Sequence, residues 1–245
     1  APLSKDIAEF FYAMGLVVLE GYGLTETSPV ISVNTFENLK FGSVGKAIPG
    51  VEVKIAEDGE ILTKGPNVMK AYYKKEDETK EAFKGGWFHT GDIGHVDEEG
   101  FLVITDRKKD LIVTSGGKNV APQPIENLLK LSPYVSNAVV LGDRRRFISA
   151  LVVPNFDKLK EYAETNDIPF ETNKDLTRSE QVLNFMQREI DRITPNLASY
   201  EKVKKIALLD REFEIEKGEM TPTLKVKRNI VEEKYRNIID ALYKE

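Results

Sequence analysis

Apolar positions recur along the chain with two periods, and the change of period marks its organisation. At the start, Ser4 is placed to cap a helix that carries Ile7, Phe11 and Met14 at helical spacing, and Gly15 stops it. Val17-Val18-Leu19 is a short continuous apolar run, which predicts a buried strand. It leads directly into Gly21-Tyr22-Gly23-Leu24-Thr25-Glu26, and a strand that ends in a glycine-rich loop is where α/β proteins place ligands. Over 41–105 the period is two. Val51, Val53 and Ile55 alternate with polar residues, Asp58-Gly59 predicts a turn, and Ile61 and Leu62 begin the return strand. Residues 76–83 predict a short helix and 101–104 another strand. The product is a compact, mostly antiparallel subdomain.

Asp106-Arg107-Lys108-Lys109-Asp110 interrupts this pattern with a charged stretch between two strand-like runs, and we place a domain boundary there, giving units over 1–106 and 107–245. The second has an α+β pattern. A helix is predicted over 125–131, strands over 138–141 and 148–153, a helix over 181–193 with Val182, Phe185 and Ile193 on one face, and a strand over 206–209. Ile230, Tyr235, Ile238 and Leu242 predict one final amphipathic helix. No internal repeat or low-complexity tract is visible.

Composition narrows the classes. Of 245 residues, 41% are apolar, enough for a core, and 31% are charged, which fits a solvated surface. A net charge of −5 disfavours a nucleic-acid binder, since phosphate contacts need a basic face. The absence of cysteine excludes disulfides, thiolate metal sites and cysteine nucleophiles, and fits a cytoplasmic location. With only two histidines, His89 and His95, a histidine-rich metal site is excluded. No apolar run reaches the ~20 residues of a membrane span, and membrane association is not indicated. The first residue is Ala1, so the chain begins after a removed initiator or within a longer protein.

Four clusters carry candidate chemistry. In Tyr22-Gly23-Leu24-Thr25-Glu26-Thr27 the glycines allow close backbone approach, Tyr22 offers a flat face for a base, Thr25 a hydroxyl for a phosphate, and Glu26 a hard oxygen for Mg²⁺. The same residues also describe a plain strand-to-turn transition. In Trp87-Phe88-His89-Thr90-Gly91-Asp92, the Asp92 carboxylate can accept both hydroxyls of a ribose, or simply sit in a turn, and His89 is read as a structural hydrogen-bonder. The charged stretch continues to Thr114-Ser115-Gly116-Gly117-Lys118, which fails the P-loop pattern because Ile112 stands where the first glycine is needed; the glycine pair reads as a backbone-lined wall or turn. Thr221-Pro222-Thr223-Leu224-Lys225-Val226-Lys227-Arg228 sets a lysine on a proline-stiffened turn, where it can present a point charge to a phosphate or be part of a solvated basic loop.

In this order the clusters resemble one superfamily, the acyl-adenylate-forming enzymes: acyl-CoA synthetases, peptide-synthetase adenylation domains and beetle luciferases. The resemblance runs from Glu20 to Arg228, and Gly116-Gly117-Lys118-Asn119-Val120-Ala121-Pro122 with Ile125-Glu126 adds a fifth match. It implies the end of a large α/β adenylating domain, with a strand–loop and a small β-rich subdomain, followed by a small mobile α+β domain. By resemblance, Tyr22 stacks on adenine with Gly23 beside it, Thr25 touches the α-phosphate, Glu26 binds Mg²⁺, and Asp92 holds the ribose with Arg107 assisting. Asp106 is the hinge, Lys225 bridges the acyl carboxylate and α-phosphate, and Gly116 and Gly117 border the path of CoA.

Most of the superfamily has glycine immediately before the catalytic lysine; here Leu224 stands there, and Thr-Pro-Thr-Leu-Lys resembles the long-chain fatty acyl-CoA branch. Spacing favours Lys225 over Lys227. The serine/threonine/glycine-rich phosphate loop and most of the acyl pocket are absent, and the adenine loop's expected ending coincides with Ala1-Pro2. The resemblance thus implies a fragment of an ATP-dependent fatty acyl-CoA ligase whose remaining N-terminal portion is its partner. ATP/AMP, Mg²⁺, CoA and a fatty acid are the implied small molecules. An aryl-CoA ligase or amino-acid adenylation domain on the same scaffold is one alternative, a non-catalytic nucleotide- or partner-binding module another. Arg144-Arg145-Arg146 reads either as a hold for CoA phosphates or as a solvated turn.

Overall fold

The computed structural model describes residues 5–244, the Asp6 side chain excepted; Ser4 and Ala1-Pro2 lie outside them. The structure is mixed α/β with several small sheets, in two compact units, Ala1–Asp110 and Leu111–Glu245.

In the first unit, α1 (Lys5–Ala13) ends where expected, with Gly15 in the left-handed region. The run at 17–19 is not a strand. Val17 and Leu19 are exposed, and no ladder partner lies beside them among the described residues; extended pairing begins only at β1 (Gly21–Gly23). There β2 (Val30–Val33) supplies an antiparallel partner, and β3 (Lys46–Ala47) pairs with β2 in turn. A second, five-stranded sheet is built around the ten-residue β7 (Trp87–Val96). β4 (Glu52–Ile55) and β5 (Glu60–Lys64) form the expected hairpin across Asp58-Gly59, and β5 pairs with β7. β6 (Phe83–Lys84), which follows α2 (Glu76–Ala82), pairs with the start of β7, and β8 (Leu102–Arg107) with its end. Period-two alternation holds best in β7, where inward and outward positions alternate over most of its length. Tyr22, Ile31, Val51, Ile61 and Leu102 form this unit's core.

Asp106 lies inside β8, opposite Ile93, and Arg107 lies opposite Asp92. The division between the units therefore falls after Asp110, beyond the boundary expected at 106, because the ladder to β7 keeps Asp106 and Arg107 in the first unit.

The second unit opens with a small hairpin, β9 (Ile112–Val113) and β10 (Asn119–Val120). Its centre is a three-stranded sheet. β12 (Ile148–Pro154), buried throughout, lies between antiparallel β11 (Val135–Leu141) and parallel β13 (Val203–Leu208). Both faces are covered, which is why β12 reads as a nearly continuous apolar run broken only by Ser149. On one side Ile148, Ala150 and Val152 pack with α3 (Pro122–Leu129), α4 (Phe156–Thr165), α5 (Asn173–Arg178) and α6 (Glu180–Ile193). On the other, Leu151 and Val153 pack with Val231 and Ile239. α3 starts earlier than the apolar pattern predicted because Pro122 takes a first-turn position, where its missing N–H costs nothing. α4 and α5 are additional to the sequence expectation, although Asn155 caps one and Thr172 with Asp175 forms a capping box for the other. The expected final helix is two, α7 (Arg228–Lys234) and α8 (Arg236–Leu242), broken at Tyr235, and its deepest residues are Val231 and Ile239.

Candidate functional site

The first unit places Tyr22 and Asp92, seventy positions apart in sequence, against each other. The Tyr22 hydroxyl donates to Asp92 Oδ2 at 2.6 Å, and Arg107 Nε lies 2.8 Å from Oδ1. Asp92 is 4% exposed, whereas the Arg107 side chain is 49% exposed, so the carboxylate is held at the inner end of a solvent-facing cation. Burial, with the Asp92 charge beside it, pushes the Tyr22 phenol far above its usual range, so it remains a neutral donor. Tyr22 is 8% exposed and packs in this unit's core. Gly23 also answers a need of the fold. A Cβ there would lie 1.5 Å from the Pro29 carbonyl oxygen, at the irregularity in the β1–β2 ladder.

Thr25 and Glu26 follow on a single 3-10 turn, Thr25–Thr27. The turn is pinned from within: buried Thr27 accepts the Leu24 N–H at 2.9 Å and donates to the Pro29 carbonyl at 2.8 Å. It is pinned from outside as well, by Asn67 donating to the Thr27 and Val30 carbonyls and by the Met69 N–H donating to the Glu26 carbonyl. Thr25 is left exposed and Glu26 half-buried. The Tyr72 hydroxyl donates to Glu26 Oε1 at 3.0 Å, and burial together with that carboxylate raises the Tyr72 phenol. No cluster of three or more carboxylate or histidine ligands occurs among the described residues. A lone Glu26 fits a hard cation that takes its other ligands from phosphate oxygens and water, the usual habit of Mg²⁺.

One network here had no signal in the motifs. Glu60, 4% exposed, receives Lys108 Nζ at 2.9 Å and the Gly91 N–H at 3.0 Å, and His89 Nδ1 lies 2.8 Å from it. Burial works to raise this carboxyl, but these hydrogen bonds outweigh it and hold it below its ordinary range. Lys108 also pairs with Asp58 at 2.6 Å, so the residue just past Arg107 is tied to the β4–β5 hairpin. His89 is thus a structural hydrogen-bonder.

In the second unit, Gly116 and Gly117 form the exposed turn of the β9–β10 hairpin. A Cβ at Gly117, whose φ is +72°, would meet no atom within 4 Å, so the turn presents bare backbone. The neighbouring turn is bound to it through Ser115 N–H to the Arg145 carbonyl and Arg144 N–H to the Val113 carbonyl. Arg145 is engaged with Asp240 and the Tyr243 ring, while the Arg144 side chain faces solvent.

Lys225 is exposed near the tip of a short hairpin-like loop. The Thr221 N–H donates to the Lys225 carbonyl at 2.8 Å, the Lys225 N–H to Thr221 Oγ1 at 3.0 Å, and Met220 and Val226 form a bridge below. Leu224, just before Lys225, has φ +59° and is 68% exposed. The loop therefore keeps the left-handed geometry that glycine adopts freely and leucine adopts at a cost of about 1–2 kcal/mol. Leu224→Gly is expected to leave the thermal midpoint of the chain unchanged or slightly higher, while Leu224→Val lowers stability by about 1 kcal/mol or more, because a β-branched residue tolerates positive φ worst. Thermal melts of both variants check this; a clear loss with glycine would show that the leucine side chain holds the tip.

Residues 1–73 match the family model described as AMP-binding enzyme, and residues 109–245 match that of the AMP-binding enzyme C-terminal domain. The chain is 41% identical over 244 residues to the long-chain-fatty-acid–CoA ligase FadD15 of Mycobacterium tuberculosis, covering 99% of this chain and 41% of that protein. It is 36% identical over 269 residues to the human long-chain-fatty-acid–CoA ligase ACSBG1, covering 100% of this chain and 37% of that one. The chain therefore spans well under half the length of these relatives. Among solved structures, o-succinylbenzoate coenzyme A synthetase (MenE) from Bacillus subtilis, in complex with AMP, superposes with a TM-score of 0.68 at 31% identity, over 94% of this chain and 44% of that one. The adenylation domain of a carboxylate reductase from Mycobacterium chelonae shares the fold, with a TM-score of 0.79 at 24% identity over 100% of this chain and 38% of that one. Ordered motifs, fold and matched models coincide, and the chain belongs to the AMP-binding enzyme family of acyl-adenylate-forming proteins.

Proposed function

We propose that this chain is the C-terminal portion of an ATP-dependent long-chain fatty acyl-CoA synthetase, which joins a carboxylate to AMP and then transfers the acyl group to CoA. The observation that carries this reading is the buried Asp92 carboxylate, fixed between the Tyr22 hydroxyl and Arg107 at the end of the glycine-rich loop. A charge so held is a rigid acceptor for vicinal hydroxyls, and Tyr22 acts by orienting it at the edge of the adenosine site. Thr25 meets the α-phosphate. Glu26 would hold Mg²⁺, which neutralises phosphate charge when bound. In the first half-reaction a carboxylate oxygen attacks the α-phosphorus, the bond to the bridging oxygen breaks, and pyrophosphate leaves; Lys225 stabilises the charge that builds on the α-phosphoryl and acyl oxygens. In the second, the CoA thiol loses its proton and attacks the acyl carbonyl, and AMP leaves. The Gly116–Gly117 turn borders the pantetheine arm, whose narrow path suits backbone without side chains. The small domain turns about the segment that begins at Asp106 and ends at Asp110 between the two steps, so that Lys225 serves one and the glycine turn the other.

The names of the FadD15 and ACSBG1 relatives support the fatty acyl class. The phosphate loop and most of the acyl pocket belong to the N-terminal portion of the whole enzyme. The apolar residues exposed on and after α1, among them Phe10, Met14, Leu16 and Val17, supply a surface for it to cover. The test is made on the full-length enzyme with ATP and Mg²⁺, following pyrophosphate release and then thioester formation, with palmitate, o-succinylbenzoate and amino acids as rival substrates. Palmitate is expected to turn over best, and the 245-residue chain alone to read background. Preference for the aromatic or amino acid, or turnover by the isolated chain that depends on Lys225, overturns the reading.

A further inference from the structure

Glu219 is a carboxylate with no solvent exposure at all, at the base of the loop that carries Lys225. Arg211 grips it with two nitrogens, at 2.8 and 2.6 Å, and Lys234 Nζ lies 2.7 Å away. The Glu214 N–H donates to it at 3.0 Å and the Tyr235 hydroxyl at 3.4 Å. The Arg211 hydrogen bonds hold its carboxyl down to about 2 against the opposing effect of burial, so it is charged throughout the neutral range. Burial and the Glu219 charge in turn push the Tyr235 phenol up to about 12. A carboxylate buried this completely is costly unless several donors meet it, and here donors arrive from two separate places: Arg211 and the Glu214 N–H in the segment after β13, and Lys234 and Tyr235 at the α7–α8 junction.

The same residue continues into the loop through its backbone. The Glu219 carbonyl accepts the Lys227 N–H at 2.8 Å. Above that bond stands the Met220–Val226 bridge, and above that the paired hydrogen bonds of Thr221 with Lys225. A continuous ladder therefore runs from the buried carboxylate to the lysine. It also accounts for the break at Tyr235, whose side chain reaches Glu219, packs edge-on to Phe213 and lies beneath Arg211.

We propose that Glu219 is a positioning residue for adenylation: its clamp by Arg211 and Lys234 fixes the base of the loop and so sets where Lys225 stands. The inference rests on the function proposed above and adds to it a residue that need not touch substrate.

The test uses the full-length enzyme with the half-reactions separated, ATP plus palmitate for one and supplied palmitoyl-AMP plus CoA for the other. Glu219→Gln keeps the shape but removes the buried charge that Arg211 and Lys234 share, leaving Arg211 only its longer pairing with Glu214 at 3.5 Å. Misplacing a charged group by about 1 Å costs up to about 100-fold, so adenylation kcat is expected to fall at least tenfold, with the KM values for ATP and palmitate within about threefold. Thioester formation should stay within about twofold. Lys234→Met, at a half-exposed position, should show a smaller loss with the same bias and decides the matter if Glu219→Gln fails to fold. Equal losses in both half-reactions would mark the clamp as merely structural and overturn the inference, as would unchanged adenylation in a folded variant. Lys225→Ala separates the two levels. If it cripples adenylation while the clamp variants do not, the positioning role falls alone; if it spares adenylation, the functional reading falls and the positioning role with it.

Discussion

Lys225→Ala in the full-length enzyme is expected to slow acyl-adenylate formation by a few hundredfold or more while leaving thioester formation from supplied acyl-AMP nearly intact. The asymmetry follows from where charge develops. As a carboxylate approaches the α-phosphate, two anionic groups are forced together, and negative charge grows on the transferring oxygens. An ammonium placed there makes a contact that strengthens in the transition state, of a kind worth about 3–4 kcal/mol. On the proposed reading, thiol attack on the acyl carbonyl follows a turn of the small domain that takes the lysine elsewhere. The exposed lysine is free of this constraint in the loop itself, where its backbone rather than its amine makes the holding contacts. Single-turnover assays of the two half-reactions check the prediction. Equal losses would reduce Lys225 to a structural element of the loop, and a loss seen only with Lys227→Ala would move the assignment two residues along.

Where local pattern and tertiary environment agree, the sequence was enough. The alternation at Val51, Val53 and Ile55 and the Asp58-Gly59 turn predict the β4–β5 hairpin because one face of that sheet is buried and local turn chemistry sets its register. The apolar runs of β11 and β12 are equally legible. Val17-Val18-Leu19 has the same composition but remains outside any sheet, since a strand needs a partner that local pattern does not supply. Ile230, Tyr235, Ile238 and Leu242 fit one uninterrupted helix, but Tyr235 is drawn toward Glu219 and Phe213, and the helix breaks there.

The candidate site divides in the same manner. Chemistry-bearing residues were visible as types in order, from Tyr22 to Lys225. Their supports were not, because a buried polar contact joins positions remote in sequence: Tyr72 to Glu26, Lys108 to Glu60, Arg211 and Lys234 to Glu219. Nor did the glycines at 21 and 23 announce which task required them; at Gly23 it is close approach of the chain to itself. A motif states what a position must be, and only packing distinguishes a residue that meets a ligand from one that lets the backbone pass.

The largest stability effect is expected at the other end of the Lys225 loop. Arg228 opens α7 and reaches across to α3, its guanidinium 2.5 Å from Glu126 Oε1 and also donating to the Val140 carbonyl. The Val140 N–H donates to the same Glu126 oxygen at 2.8 Å. Burial pushes the Glu126 carboxyl above its ordinary range, with Arg228 pulling the other way. Arg228→Met removes the opposing charge and leaves a buried carboxylate, which costs about 3–5 kcal/mol at neutral pH. The sign of the pH dependence is fixed by linkage. In the variant the folded-state pKa of Glu126 rises further above its unfolded value, so the folded form binds the proton more tightly. The stability that this proton supplies is present below the unfolded carboxyl range and is lost as pH rises through the folded pKa. Urea melts at pH 5 and pH 7 should therefore show the variant closer to its parent at pH 5. Adding Glu126→Leu to Arg228→Met should recover much of the loss at pH 7, since the isolated charge is then gone. A variant whose deficit is the same at both pH values and is not relieved by the second substitution would show that Arg228 acts through packing, and that the Glu126 charge has little part in tying α7 to α3.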